Sequence, residues 1–136
     1  MTGYSTLNTP ERRLIFREEV DPADAHGATL TKHQKYLWVA DRGRNFMWVV
    51  DTLFDRIVNR IYLAGNVSTD PTPDLLAISP KGKYVYMSLR SPPPGIIKVT
   101  QGGRNGIFEA FAPISNIAAG GVQRVDAHAL SVRVTK

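Results

Sequence analysis

The sequence has 136 residues, 43% of them hydrophobic and 21% charged, with a formal net charge of +5 and no cysteine. That length carries one domain with a modest core, and the lack of thiols excludes disulfides and thiolate metal sites. No apolar run approaches the ~20 residues of a membrane helix. Residues Met1 to Pro10 lack the basic start and apolar stretch of a signal peptide. A soluble chain with no membrane partner is expected, and its localisation stays unknown. The basic residues are dispersed from Arg12 through Arg42, Arg44, Arg56 and Lys83 onward, with no run of five or six. Nucleic-acid binders concentrate positive charge on one face or element, so a nucleic-acid partner is not expected.

Taken in chain order, residues 12–20 read as a strand preceding the first complete unit. That unit, 26–63, divides into four short strands: 27–31, Tyr36–Asp41, Phe46–Asp51 and Arg56–Leu63. The turns between them are Lys32–Lys35, Arg42–Asn45 and the stretch near Asp51–Asp55. A second unit, 74–113, repeats the plan with strands at Leu75–Ser79, Tyr84–Leu89, Ile96–Thr100 and Ile107–Pro113. Its turns are Pro80–Lys83, Ser91–Gly95 and Gln101–Gly106. Residues 127–134 then read as the inner strand of a third unit. Short strands rich in Val, Ile, Tyr, Phe and Trp, separated by Gly, Pro and Asn turns at regular spacing, predict an all-β repeat without helices.

The repetition is explicit. Tyr36 recurs as Tyr84 and Arg42 as Arg90, both 48 residues on, with Thr31 matched to Ser79, Lys35 to Lys83 and Trp38 to Tyr86. Asp24-Ala-His26 recurs as Asp126-Ala-His128, 102 residues on. Within Phe46–Val50 both faces of the strand are apolar, which predicts sheets covered on both sides rather than one wet face. Four strands in about 48 residues fit a propeller blade. The expected architecture is a partial β-propeller: two four-stranded antiparallel blades plus flanking strands of their neighbours. An eight-stranded sandwich is the structural alternative.

Three stretches carry a resemblance. Asn45-Phe-Met-Trp-Val-Val-Asp-Thr52 is similar to the Asn-x-x-x-Val-x-Asp-Thr core of YVTN-type β-propeller repeats. The stretch from Pro73 to Tyr86, with Ser79-Pro-Lys-Gly-Lys83 leading into an aromatic strand, resembles the following part of the same repeat. His26-Gly27 sits where many members open with Pro-His-Gly, Ala25 standing in for the proline. The resemblance spans roughly residues 24–112 and implies relationship to lactonase-like and surface-layer-like propellers. A propeller closes with about four to eight blades, so the chain reads as a fragment of a longer member or a subunit completed by other chains. The segment Arg90-Ser-Pro-Pro-Pro-Gly95 reads as a shortened loop. Open blade faces and unpaired strand edges invite pairing with another chain. Self-association, or a second propeller chain, is therefore expected.

His26, Asp74 and His128 occupy the same slot in three successive units. Inner-strand starts lie near one mouth of a propeller channel, so these residues are candidate ligand contacts, or turn residues bonding a neighbouring blade. Their spacing carries no metal signature, and no cofactor is expected. Arg42 and Arg90 also share a slot, on the face of Tyr36/Tyr84 and Trp38/Tyr86. They are candidates for stacking on an aromatic or for binding a carboxylate or phosphate ligand. Asp41 points to the opposite face, and Asp51-Thr52 reads as turn chemistry. Gln101–Gly106 reads as a hairpin turn rather than a phosphate loop.

No catalytic constellation is present in the sequence. The expected function is a non-catalytic scaffold or binding module contacting a small molecule or protein through loops at one channel mouth. The alternative is a lactonase-like hydrolase or cofactor-dependent propeller enzyme that uses His26, Arg42, Asp74 and Arg90.

Overall fold

The computed structural model describes residues 24–63, 72–89 and 94–111. They form eight strands: β1 (Ala25–Leu30), β2 (Tyr36–Asp41), β3 (Phe46–Asp51), β4 (Arg56–Tyr62), β5 (Pro73–Ile78), β6 (Tyr84–Leu89), β7 (Gly95–Thr100) and β8 (Asn105–Phe111). These make two antiparallel four-stranded meanders, ordered β1-β2-β3-β4 and β5-β6-β7-β8. The described residues contain no α-helix, only single 3-10 turns at Lys32–Gln34 and Gln101–Gly103. The all-β reading and the two four-stranded antiparallel sheets hold. The expected strands at 12–20 and 127–134 lie outside the described residues.

Several strand ends differ from expectation, and each has a local cause. β1 begins at Ala25 because a bulge between Ala25 and Ala28 lets the strand continue pairing down to Asp41. β5 begins at Pro73, where a proline opens a strand at no cost to the ladder. β8 begins at Asn105, paired with Thr100, because the turn is a compact Gln101–Arg104 rather than the longer glycine-rich stretch.

The two sheets repeat each other in detail. The β1 bulge recurs between Pro73 and Leu76, and the outer-pair bulge at Val49/Val50 recurs at Ile96/Ile97. Thr31 N–H donates to the Tyr36 carbonyl at 2.8 Å, as Ser79 N–H does to Tyr84. The hydroxyl oxygens of Thr31 and Ser79 in turn accept the N–H of Tyr36 and Tyr84, at 3.1 and 3.0 Å. The matched Thr31 and Ser79 thus close the same turn.

The sequence motifs acquire physical roles here. Asn45 adopts φ 58°, the left-handed region that Asn tolerates, and its side-chain oxygen accepts Thr72 N–H at 2.9 Å. It thereby ties the first sheet to the entrance of the second. Asp51 accepts the N–H groups of Leu53 and Phe54 at 3.0 and 3.2 Å, an Asx turn. Thr52 donates its hydroxyl to the carbonyls of Gln34 and Lys35, locking two turns at the same end of the sheet. Gly82, at φ 71°, gives the Pro80–Lys83 turn a left-handed residue free of Cβ strain.

The core lies between the sheets. Tyr36, Trp38, Met47, Val49, Ile61 and Leu63 of the first sheet meet Val85, Met87, Leu89 and Ile97 of the second. A second cluster, Leu37, Val39, Phe46, Trp48 and Val50, fills the opposite face of the first sheet and is also buried. All twelve residues of β2 and β3 are buried, as strands apolar on both faces require.

Stacking is head to tail. By the 48-residue match, Tyr84 and Tyr86 correspond to Tyr36 and Trp38, yet they lie on the outer face of the second sheet, half-exposed. Val85 and Met87 correspond to Leu37 and Val39, and they face the first sheet. Two equivalent units therefore present the same pair of unlike faces in the same order.

Candidate functional site

The inner strands approach most closely. A Cβ built on Gly27 would lie 2.3 Å from the Asp74 carbonyl oxygen and 2.7 Å from Leu75 Cα. Only a glycine admits that backbone contact. The contact places the first residues of β1 beside those of β5 and gathers the polar groups at this end.

Four side chains meet there. Asp74 is 1% exposed, with Oδ1 3.0 Å from His26 Nε2 and 3.7 Å from Arg42 Nη1. The Arg42 contact is an ion-pair approach, the His26 contact is one only with a protonated ring, and that oxygen has no aligned hydrogen bond from either. Arg42 Nε donates to Asp24 Oδ2 at 2.7 Å. Its backbone N–H donates to the Asp24 carbonyl at 3.0 Å. The Arg42 pKa is raised above its ordinary value, first by the hydrogen bond to Asp24, with the charges of Asp24 and Asp74 adding against a desolvation that lowers it. The guanidinium is therefore cationic at every pH at which a protein of this kind is folded. The His26 side chain is 41% exposed, so one side of the ring reaches solvent while Nε2 faces the carboxylate.

Asp41 supports the cluster from below. Fully buried, it accepts Asp24 N–H at 3.1 Å and Arg44 N–H at 3.2 Å on Oδ1, and the Trp48 indole N–H at 3.0 Å on Oδ2. The expectation that Asp41 faces away from Arg42 agrees with these bonds.

Of the residues singled out in the sequence, His26, Arg42 and Asp74 come together across the two sheets. Arg90 and His128 lie outside the described residues. Among the described residues Arg42 does not stack on an aromatic ring, and it meets the carboxylates of Asp24 and Asp74. Cation–π contacts among the described residues fall elsewhere, at Lys35 over Tyr36, Arg56 over Phe54 and Arg60 over Trp48. His26 lies within β1 and meets a side chain rather than turn backbone. Asp24 was not singled out as a site residue. The signal for it was its place in the repeated Asp24-Ala-His26 and Asp126-Ala-His128 triplets. Among the described residues no group of three or more His, Cys, Asp or Glu side chains is arranged to hold a metal ion.

Further contacts join the sheets away from this cluster. Trp38 Nε1 donates to the Gly103 carbonyl at 2.7 Å in a buried setting. Asn59 Nδ2 donates to the Arg104 carbonyl and to Asn105 Oδ1, both at 3.0 Å. Backbone therefore meets backbone at the inner strands, whereas the outer strands are bridged by side chains.

No family model and no curated protein matches the chain. Among solved structures it is similar to a functionally unknown protein from Desulfotomaculum acetoxidans. That likeness has a TM-score of 0.55 at 15% identity, covering 76% of this chain and 30% of the other. It is also similar to a Kuenenia stuttgartiensis hydrazine synthase, with a TM-score of 0.49 at 18% identity, covering 73% of this chain and 25% of the other. The chain thus spans less than a third of the length of each structure. At such identities the first likeness speaks to fold alone, and the fold is an all-β repeat.

Proposed function

We propose that this chain supplies two adjacent blades of a β-propeller of the YVTN type, acting as a non-catalytic scaffold or binding module. The observation that carries the reading is the head-to-tail wedge. Equivalent sheets stack with the same face forward, in backbone contact at the inner strands and bridged by side chains at the outer ones. A ring of blades is built from that relation repeated, whereas the facing sheets of a sandwich need not be related by a repeat. The Asn45–Thr52 motif and the Ser79–Lys83 turn support the YVTN assignment, because Asn45, Asp51, Thr52, Ser79 and Gly82 each have a structural task in the two sheets.

In this reading the Asp24–Arg42–Asp74–His26 cluster is a latch between neighbouring blades at one channel mouth. Ligands or proteins meet the loops around it, and further blades of the ring come from the rest of a longer chain, a second copy or another propeller chain. A repeated slot whose members hold one another supports an architectural task first.

One observation favours the alternative, a lactonase-like hydrolase. The solvent-facing His26 ring has Nε2 3.0 Å from a buried carboxylate, within the reach at which a carboxylate orients a general base. A panel of sugar lactones separates the two. The scaffold reading predicts no turnover above the uncatalysed background. Turnover that is lost in His26→Ala, with the melting temperature retained, would replace it with the hydrolase.

A further inference from the structure

The cations that are dispersed in the sequence are gathered by the fold. In a meander every second turn falls at the same end of the sheet. The turns Lys32–Lys35 and Thr52–Asp55 therefore share one end with Pro80–Lys83 and Gln101–Arg104 of the neighbouring sheet. Lys32, Lys35, Arg56, Lys81, Lys83 and Arg104 are all exposed there. Among the described residues the carboxylates at this end are Asp51, buried in its Asx turn, and the half-buried Asp55. The opposite end carries Asp24, Asp41 and Asp74 against Arg42, Arg44 and His26. The double sheet is thus electrostatically polar along its strands. Adjacent strands lie about 4.8 Å apart and stacked sheets about 10 Å apart, so the six cations occupy a field only a few strand spacings wide.

The same end carries the two most exposed large apolar side chains among the described residues, Leu53 at 78% and Phe54 at 60%. They sit on a tip that is held rather than loose. Asp51 ties down both of their N–H groups, Thr52 bonds the neighbouring turn, and Arg56 lies 5.1 Å from the Phe54 ring centre. An apolar pair fixed on a protruding turn beside a row of cations has two complementary requirements, an anionic surface and an apolar layer behind it.

We propose that this end is a peripheral membrane-contact surface, which places Lys32, Lys35, Arg56, Lys81, Lys83 and Arg104 among anionic phospholipid headgroups and Leu53 and Phe54 in the acyl boundary. The inference needs only the two stacked sheets and stands independently of the propeller reading. It also departs from the expectation of no membrane partner: the contact is superficial and requires no spanning segment. A single-stranded nucleic acid fits less well, since stacking uses several flat rings among the cations, and Leu53 offers none. A folded acidic protein fits less well, since protein interfaces centre their apolar anchors within a polar rim. Here the anchors protrude at the outer hairpin. A bilayer accepts a protruding tip without a matching recess.

The test is co-sedimentation of the full chain with vesicles of phosphatidylcholine alone and with about 30% phosphatidylserine. The chain partitions onto the anionic vesicles and not the neutral ones, and partitioning falls as salt rises from about 50 to about 200 mM. Each lysine or arginine near such a surface contributes about a fivefold factor, so Lys32→Ala/Lys81→Ala/Lys83→Ala lowers partitioning about 100-fold. Leu53→Ser/Phe54→Ser lowers it about tenfold or more at unchanged charge. Arg44→Ala, one charge removed at the opposite end, leaves it within about twofold. All variants are at exposed positions, and circular dichroism confirms that they fold. Absence of binding, equal binding to neutral vesicles, or unchanged partitioning of the Leu53/Phe54 variant would overturn the proposal. So would capture of a single-stranded oligonucleotide or an acidic polypeptide with no binding to vesicles.

Discussion

Replacing Gly27 by alanine probes the closest contact between the sheets. The added methyl would sit 2.3 Å from a carbonyl oxygen and 2.7 Å from a Cα, both backbone atoms of β5. Ordinary contact at such atoms begins near 3.4 Å, so β1 and β5 must part by about 1 Å, and no flexible side chain can absorb the shift. Overpacking of this kind costs about 1–3 kcal/mol, and the backbone origin of the clash argues for the upper end. Alanine also restricts the unfolded chain, which returns about 0.4–1 kcal/mol. The net loss is about 2 kcal/mol, which for a chain of this size lowers the melting temperature by about 6–10 °C. Thermal unfolding followed by circular dichroism measures it. Gly102→Ala is the comparison: its Cβ would meet nothing within 4 Å, and its φ of +66° leaves only local strain, about 1 kcal/mol. A Gly27→Ala protein that melts at or above the wild-type temperature would refute the close approach of the inner strands.

Three further outcomes follow from the same contacts. Trp38→Phe removes the buried indole donor to the Gly103 carbonyl and lowers stability by about 1–3 kcal/mol in chemical denaturation. Asp74→Ala strips the buried carboxylate from His26 and Arg42 and destabilises by about 1–3 kcal/mol. A double-mutant cycle with His26→Ala gives a coupling of only about 0.5–1 kcal/mol, because the 41% exposed ring is screened by water. Arg42→Ala lowers the melting temperature by the same amount at about pH 6 and about pH 9. The raised pKa means the stabilisation is fully present below the ordinary arginine value and is lost only above it, outside that window. A loss confined to one of these two pH values would contradict the Arg42 assignment.

Much of the fold was legible because the same residues repeat. The Tyr36/Tyr84 and Thr31/Ser79 matches located two units, and apolar residues on both faces of β2 and β3 announced sheets covered on both sides. Strand ends were less legible. The bulge near Ala25 extends pairing past the point where alternation breaks, and Pro73 opens a strand although proline usually argues against one. At the site, the shared slot of His26 and Asp74 identified residues that meet, but not that they meet each other. That contact depends on Gly27 letting two backbones touch, a property of three-dimensional packing rather than of spacing. Arg42 shows the limit of parity arguments: its face was assigned, yet its guanidinium bonds Asp24, adjacent in space and 18 residues away in sequence. Charge was the least legible feature. A dispersed set of lysines and arginines becomes one basic end only once alternate turns are known to share a side.

The central proposal, that these two sheets are successive blades of a larger ring, leaves the Tyr84/Tyr86 face as the place where the next blade belongs. Size-exclusion chromatography with light scattering on the full chain tests this most directly, comparing wild type with Tyr84→Lys/Tyr86→Lys. The propeller reading predicts a defined small oligomer for the wild type and a smaller species, with the melting temperature largely retained, for the variant. A wild-type chain that runs as a sharp monomer and melts cooperatively would contradict it.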